Sequence, residues 1–233
     1  MAPTLDHTSA PMESEGREGA ELLDETGERA GAEGAGALHG AEDPRAFRLE
    51  RSEEYIEPMS RAREVEPFQD PRATVERVNP NFDPECGDDP YTVNCADCAR
   101  CYEATWRGLE QEAAGRAYQV GESGGLEVSG EATERTEEWA HEEFEPARAP
   151  ELRDLLERGG HGSSAIVHST WEGPMPGGHA YNVVNHEGRV ITVDPQEGRV
   201  LDYSDREIHS DLEGATGASH RAIAWDSKGR RIL

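Results

Sequence analysis

Apolar or small side chains recur every three to four positions from Asn94 to Leu109, at Cys95, Cys98, Ala99, Tyr102, Thr105, Trp106 and Leu109. That period predicts a helix with one buried face. Asn94 suits its N-cap, and Asp97 falls in the first turn, where negative charge is favoured. Gly108 weakens its end. A second helix is expected over Pro150–Arg158, with Pro150 in its first turn and Gly159-Gly160 closing it. The pattern then shortens to runs typical of strands: Ser164–Trp171, Ala180–Asn185, Arg189–Asp194 and His220–Trp225. The middle two are joined around His186-Glu187-Gly188, a hairpin signal. A helix followed by antiparallel strands predicts an α+β domain.

Upstream, the pattern fades. Residues 1–78 carry 19 acidic side chains against 9 arginines, and Gly31 to Gly40 is Gly/Ala/Glu-rich with almost nothing to bury. Such a segment cannot offset its ordering entropy, so an acidic disordered region is expected over 1–78, with room for one short helix over 46–56. The remaining residues, 79–233, contain all the cysteines and tryptophans and have the size of a single domain. Within them, Gly121 to Gly130 reads as a polar loop.

Charge narrows the class of partner. The 233-residue chain has a formal net charge of −26 and is 34% hydrophobic, with a mean hydropathy of −0.83. Nucleic acid requires a basic face, and anionic membrane surfaces favour basic segments. No run approaches the ~20 apolar residues of a membrane span. The amino terminus lacks a basic start followed by an apolar run, so the expected location is the cytoplasm, or the exterior by way of a specialised or phage-like export system.

The cysteines, Cys86, Cys95, Cys98 and Cys101, are confined to a 16-residue stretch, a distribution that suggests a site rather than a disulfide scaffold. Cys95, first in its helix, would meet free N–H groups and the positive dipole end, which favour a nucleophilic thiolate. A cysteine nucleophile needs a base, and the base needs an orienting group. His179, after Gly177-Gly178, opens one strand of the hairpin, and Asp194 closes the other. The two glycines would let backbone approach a ligand. If Glu187-Gly188 is a two-residue loop, paired positions sum to 375, and His179 and Asp194 are diagonal neighbours on one face. A four-residue loop, with a sum of 373, would put them directly opposite, and a three-residue loop would send them to opposite faces unless a bulge intervenes. The rival site is a metal: Cys95-x2-Cys98-x2-Cys101 with Cys86 has the ligand types for zinc or an iron–sulfur cluster. On a continuous helix, however, the three thiols fan over about 120°.

The same residues carry a resemblance. Asn79-Pro80-Asn81-Phe82, then Tyr91-Thr92-Val93-Asn94-Cys95-Ala96-Asp97-Cys98, with Tyr102-Glu103-Ala104 and Arg107-Gly108, resembles the opening of the papain-fold toxin domains called glutamine deamidase toxins. Gly178 to Asn185, and Val193-Asp194-Pro195-Gln196-Glu197-Gly198, resemble its two later blocks. The resemblance implies a papain-like cysteine enzyme fold with Cys95, His179 and Asp194 catalytic and no cofactor. Gln196 is implied as an orienting or substrate-contacting residue. Oxyanion donors are expected among the Cys95 N–H, Asn94 and Asn81.

The implied activity is a cysteine-dependent amidohydrolase that deamidates glutamines of a target protein as a bacterial or phage toxin or effector, with an immunity protein as partner. A papain-like peptidase or a transglutaminase would use the same acyl-enzyme. The non-enzymatic alternative is an interaction protein stapled by zinc at Cys86, Cys95, Cys98 and Cys101.

Overall fold

The computed structural model describes residues 55–56, 62–173, 176–203 and 216–233. In chain order its elements are β1 (Tyr55–Ile56), β2 (Arg63–Glu64), α1 (Pro71–Thr74), two single 3-10 turns (Val75–Arg77 and Pro84–Cys86), α2 (Cys95–Trp106), β3 (Leu109–Glu110), β4 (Gly115–Arg116), β5 (Gln119–Val120), β6 (Leu126–Glu127), α3 (Glu134–Ala140), β7 (Glu145–Pro146), α4 (Ala149–Gly159), β8 (Ser164–Glu172), β9 (Gly177–His186), β10 (Arg189–Asp194), β11 (Arg199–Asp202) and β12 (Thr216–Trp225). Six strands form one antiparallel sheet in the order β11-β10-β9-β8-β12-β7. The expected α+β class is the class observed.

Both faces of the sheet are covered, so its strands alternate between two cores rather than between core and water. On one face Ile166, Ala180, Ile223 and Trp225 meet Ala96 and Ala99 of α2, while Val184, Ile191 and Val193 meet Cys98, Cys101, Tyr102 and Trp106 of the same helix. On the other face Ala165, Val167, Tyr181 and Val183 meet Leu152 and Leu156 of α4. The two faces explain why Ser164–Val167 reads as a continuous small and apolar run.

A buried ion pair ties α2 to the sheet. Arg107 Nε donates to Glu103 Oε1 at 2.7 Å, Arg107 Nη2 donates to Ser164 Oγ at 2.9 Å, and Ser164 Oγ donates to the same Glu103 oxygen at 2.7 Å. Both charged side chains are fully excluded from solvent. Each charge is therefore compensated by the other and by hydrogen bonds, as burial demands.

Of the registers open to it, the β9–β10 hairpin adopts that of the two-residue loop. Every observed pair sums to 375, from Arg189↔His186 to Val193↔Asn182. The two-residue turn has Glu187 and Gly188 both at positive φ, 53° and 84°, the backbone that matches the twist of a two-residue hairpin.

Several expectations need correction. The boundary at 78/79 falls too late: Val75 and Val78 are buried in the cluster containing Trp106 and Val184, with Phe68 packed against it. Phe68 meets the Trp106 ring edge-on at 5.3 Å between centroids. The packed unit thus recruits apolar side chains from the end of the acidic segment.

Most of the helix allowed over 46–56 lies outside the described residues, and its last two positions, Tyr55–Ile56, are a strand paired with Gly115–Arg116. Helix α2 stops at Trp106, and Leu109 turns into a strand pairing with Glu64 after Gly108 takes a φ of 97°. The Gly121–Gly130 loop is partly a hairpin, with Val120 paired to Leu126.

Candidate active site

Helix α2 delivers Cys95 as its first residue. Asn94 occupies the N-cap as expected, but its side chain makes no capping bond. Instead it turns into a buried amide pair: Asn94 Nδ2 donates to Asn79 Oδ1 at 3.2 Å, and Asn79 Nδ2 donates back to Asn94 Oδ1 at 3.3 Å. Asn94 Nδ2 also donates to the Ala114 carbonyl at 3.0 Å, and Asn79 Nδ2 reaches the carbonyls of Tyr91 at 2.9 Å and Gln196 at 3.0 Å. The start of the Cys95 helix is thereby tied to the chain just beyond Asp194.

The carboxylate of Asp97, in the first turn of α2, likewise bonds outside the helix start. Its Oδ2 accepts the Ala114 N–H at 2.8 Å and its Oδ1 accepts from Arg100 at 3.3 Å. Arg100 also pairs with Glu131 at 2.6 Å and donates to Thr136 Oγ1 at 2.9 Å. This buried cluster pins the 113–136 region across the amino-terminal end of α2.

Strand β9 carries His179, and β10 ends at Asp194. The hairpin register makes them same-face diagonal neighbours, and His179 Nε2 lies 3.0 Å from Asp194 Oδ2. Asp194 is held from behind: its Oδ1 accepts the N–H groups of Gln196 at 3.2 Å and Glu197 at 3.3 Å. The Tyr181 ring stacks beside His179 at 6.1 Å with a 22° tilt and fixes the plane of the imidazole.

The half-buried Cys95 thiol is hydrogen-bonded to His179 and to the N–H of Ala180. With Nε2 facing Asp194, Nδ1 is the ring nitrogen left for the sulfur.

Electrostatics favour charge separation along this line. Burial opposes ionisation of Cys95, but the His179 hydrogen bond and charge, with the Ala180 N–H, outweigh it and hold the thiol below the ordinary cysteine value. Burial likewise opposes protonation of His179, yet Asp194 and Cys95 raise it to about 10. Asp194 is pulled below the usual carboxylate range despite its burial, by His179, the Glu197 N–H and Arg199. All three directions are those of a thiolate, an imidazolium and a carboxylate in series. Cys98, by contrast, is fully buried, and that burial pushes its thiol well above the ordinary value.

The sulfur opens into a cleft of about 410 Å³ lined by Ala96, Glu131, Phe144, His168, Thr170 and Gly178, among others. The glycines before His179 do not serve chiefly to admit a ligand. A Cβ at Gly177 would lie 2.6 Å from the Trp171 ring, and one at Gly178 would lie 3.1 Å from His168 Nε2. They make room for two rings of the neighbouring strand.

The fold gathers the sequence candidates Cys95, His179 and Asp194 into one chain of hydrogen bonds. The expected oxyanion donors fare differently. Asn94 is fully buried with both amide atoms engaged, and Gln196 Nε2 donates to Asn94 Oδ1 at 3.4 Å, so these side chains brace the loop instead. Asn81 is exposed on the turn preceding the 3-10 segment Pro84–Cys86. The residues missed were Asn79, whose partners are scattered along the chain, and His168, an unmarked strand position.

The four thiols do not form the alternative metal site. Cys86 is exposed and donates to Asp83 Oδ2 at 3.3 Å, Cys95 faces His179, and Cys98 and Cys101 are buried among apolar side chains. Among the described residues no three His, Cys, Asp or Glu side chains converge as metal ligands. Nor is any helix among them long and apolar enough to cross a membrane.

A cysteine at the mouth of a helix, packed on an antiparallel sheet whose strands supply the facing histidine and aspartate, defines a papain-like domain. Residues 93–199 match the family described as papain fold toxin 1, glutamine deamidase. The match begins at Val93, so the Asn79–Phe82 block of the resemblance lies outside it. No curated protein and no solved structure matches the chain.

Proposed function

We propose that this protein hydrolyses the side-chain carboxamide of glutamine in a target protein, with Cys95 as nucleophile. The observation that carries the reading is the hydrogen-bonded series Cys95–His179–Asp194 at the edge of an open cleft.

The Cys95 thiolate adds to the carboxamide carbon, and its sulfur–carbon bond forms as the carbonyl π pair moves onto oxygen. The Cys95 N–H, at the positive end of α2, stabilises that oxyanion. His179 gives its Nδ1 proton to the amide nitrogen, which leaves as ammonia when the carbon–nitrogen bond breaks. The neutral imidazole then takes a proton from water. Hydroxide adds to the thioester, the sulfur–carbon bond breaks, and glutamate is released with the thiolate restored. Asp194 holds the tautomer that points the working nitrogen at sulfur.

Conversion of glutamine to glutamate adds one negative charge to the target surface, enough to disable a contact or switch. Such an enzyme acts as a toxin or effector, and an immunity protein covering the cleft is the partner that would protect the producing cell.

The test is incubation with a cell lysate, with ammonia release and glutamine-to-glutamate conversion followed by peptide mass spectrometry. Conversion that disappears in Cys95→Ala supports the reading. Equal conversion by Cys95→Ala, or cleaved or cross-linked products instead of glutamate, overturns it in favour of no Cys95 chemistry, a peptidase or a transglutaminase.

A further inference from the structure

His168 lies in the middle of β8, opposite Ala180 of β9 and Arg221 of β12. Paired residues of adjacent strands project from the same face, so His168 emerges beside Ala180, whose N–H holds the Cys95 sulfur. The two strands are about 4.8 Å apart. The Nε2 end of the imidazole lies over Gly178, which is exposed and lines the same cleft as Cys95. His168 makes no hydrogen bond to any described residue, while its other side leans on the Phe144 ring at 6.1 Å between centroids. A half-buried imidazole with open nitrogens, held rigidly between an aromatic wall and a glycine, is a polar group awaiting a partner.

The remaining lining narrows that partner. It contains no lysine or arginine, and its carboxylate, Glu131, is already paired with Arg100 at 2.6 Å. Phe144, Ala96 and Ala180 supply apolar surface. A lining without lysine or arginine offers an anionic side chain no ion-pair partner, and one with an apolar wall and a neutral His168 imidazole accepts a methylene stem ending in an uncharged polar group.

The groups facing His168 keep it uncharged. Burial, then Arg221 on β12 and His179 on β9, lower its pKa, and Glu134 and Glu137 of α3 oppose them without reversing the shift. A neutral imidazole offers one N–H and one lone pair, the complement of a primary carboxamide.

We infer that His168 is the residue that recognises the glutamine carboxamide, hydrogen-bonding it above Gly178 so that its carbon faces the Cys95 sulfur. The inference rests on the deamidase reading and adds a specificity determinant to it. It also gives a reason for product release: glutamate brings a carboxylate into a cleft whose lining holds Glu131 and neither lysine nor arginine.

Binding is measured in the full chain carrying Cys95→Ala, so that turnover plays no part. The probes are a blocked glutaminyl-glycine dipeptide and the methionyl-glycine analogue, which has similar length and no carboxamide, with affinities read by chemical-shift titration. His168→Phe is expected to weaken the glutaminyl peptide by about tenfold and leave the methionyl peptide unchanged, and His168→Gln to recover part of the loss. Equal glutaminyl affinity with and without His168, equal loss for both peptides, or no glutaminyl binding at all overturns the inference.

Ammonia release by the wild-type protein from the glutaminyl peptide is scored separately. Absence of ammonia together with His168-dependent preference removes the deamidase reading and leaves carboxamide recognition standing. Ammonia release that His168→Phe does not impair removes the recognition role alone. Reaction of Cys95 in His168→Phe with methyl methanethiosulfonate, which has no carboxamide, together with an unchanged circular dichroism spectrum, shows that the variant is folded around a reactive thiol.

Discussion

Replacement of Asp194 by asparagine keeps the size of the side chain and removes one charge, and the surroundings of the carboxylate dictate how the new amide must sit. Oδ1 accepts two backbone N–H groups, from Gln196 and Glu197, at 3.2 and 3.3 Å. An amide nitrogen placed there would meet two donors, so the asparagine must turn its oxygen to the loop and its NH2 to His179 Nε2. Nε2 then has to accept, which moves the imidazole proton to Nδ1, facing the Cys95 thiol. That tautomer cannot take the thiol proton, and the charge that favoured imidazolium is gone.

In serine-protease triads the equivalent exchange costs about 10⁴ in kcat, and a loss of about 10³ to 10⁴ is expected here. That corresponds to about 4 to 5.5 kcal/mol of barrier. The assay pairs ammonia release with the pH dependence of Cys95 alkylation, in a variant shown by circular dichroism to be folded. Activity within about tenfold of wild type would refute the tautomer argument.

Three further outcomes are expected from the same geometry. Because Cys95 is lowered and His179 raised to about 10, the thiolate–imidazolium pair exists above the first value and below the second. Alkylation of Cys95 should therefore stay fast at pH values below 9.0, the ordinary thiol value, and deamidation should fall as pH passes about 10. An alkylation profile centred on the ordinary thiol value would contradict the pairing. A protein beginning at residue 79 loses buried Val75 and Val78, at about 1.5–3 kcal/mol each, and should unfold at markedly lower urea than one beginning at residue 62. Arg107→Met strands the buried Glu103 carboxylate and should cost about 3–5 kcal/mol, whereas Arg189→Ala, whose pair with Asp202 is exposed, should cost under about 1 kcal/mol; urea titration reads both.

What the sequence made legible was local and periodic. The spacing from Cys95 to Trp106 marked a helix, and the two-residue turn at Glu187-Gly188 allowed the His179–Asp194 relation to be worked out by counting, because side-chain direction along a strand alternates strictly. Asn79 was opaque for the opposite reason: its significance comes from Tyr91, Asn94 and Gln196, which only the fold brings together. Asn94 was expected among the oxyanion donors because its pairing with Asn79 left no local trace in the sequence.

His168 sits in a strand buried on both faces, where a lone histidine carries no pattern to distinguish a cleft from a core. Residues 110–150 contain two-residue strands and a seven-residue helix, elements too short to repeat a period. Gly177-Gly178 signalled close approach correctly, but the approaching groups are Trp171 and His168.

The central claim, that Cys95 forms a thioester with a glutamine side chain, is tested most directly by trapping it. Protein turning over a blocked glutaminyl peptide is quenched in acid and its mass measured intact and after digestion. The account predicts an adduct of peptide minus ammonia on the fragment containing Cys95, located at that residue. Ammonia release accompanied by an adduct on another cysteine, or undiminished after Cys95→Ala, would contradict it.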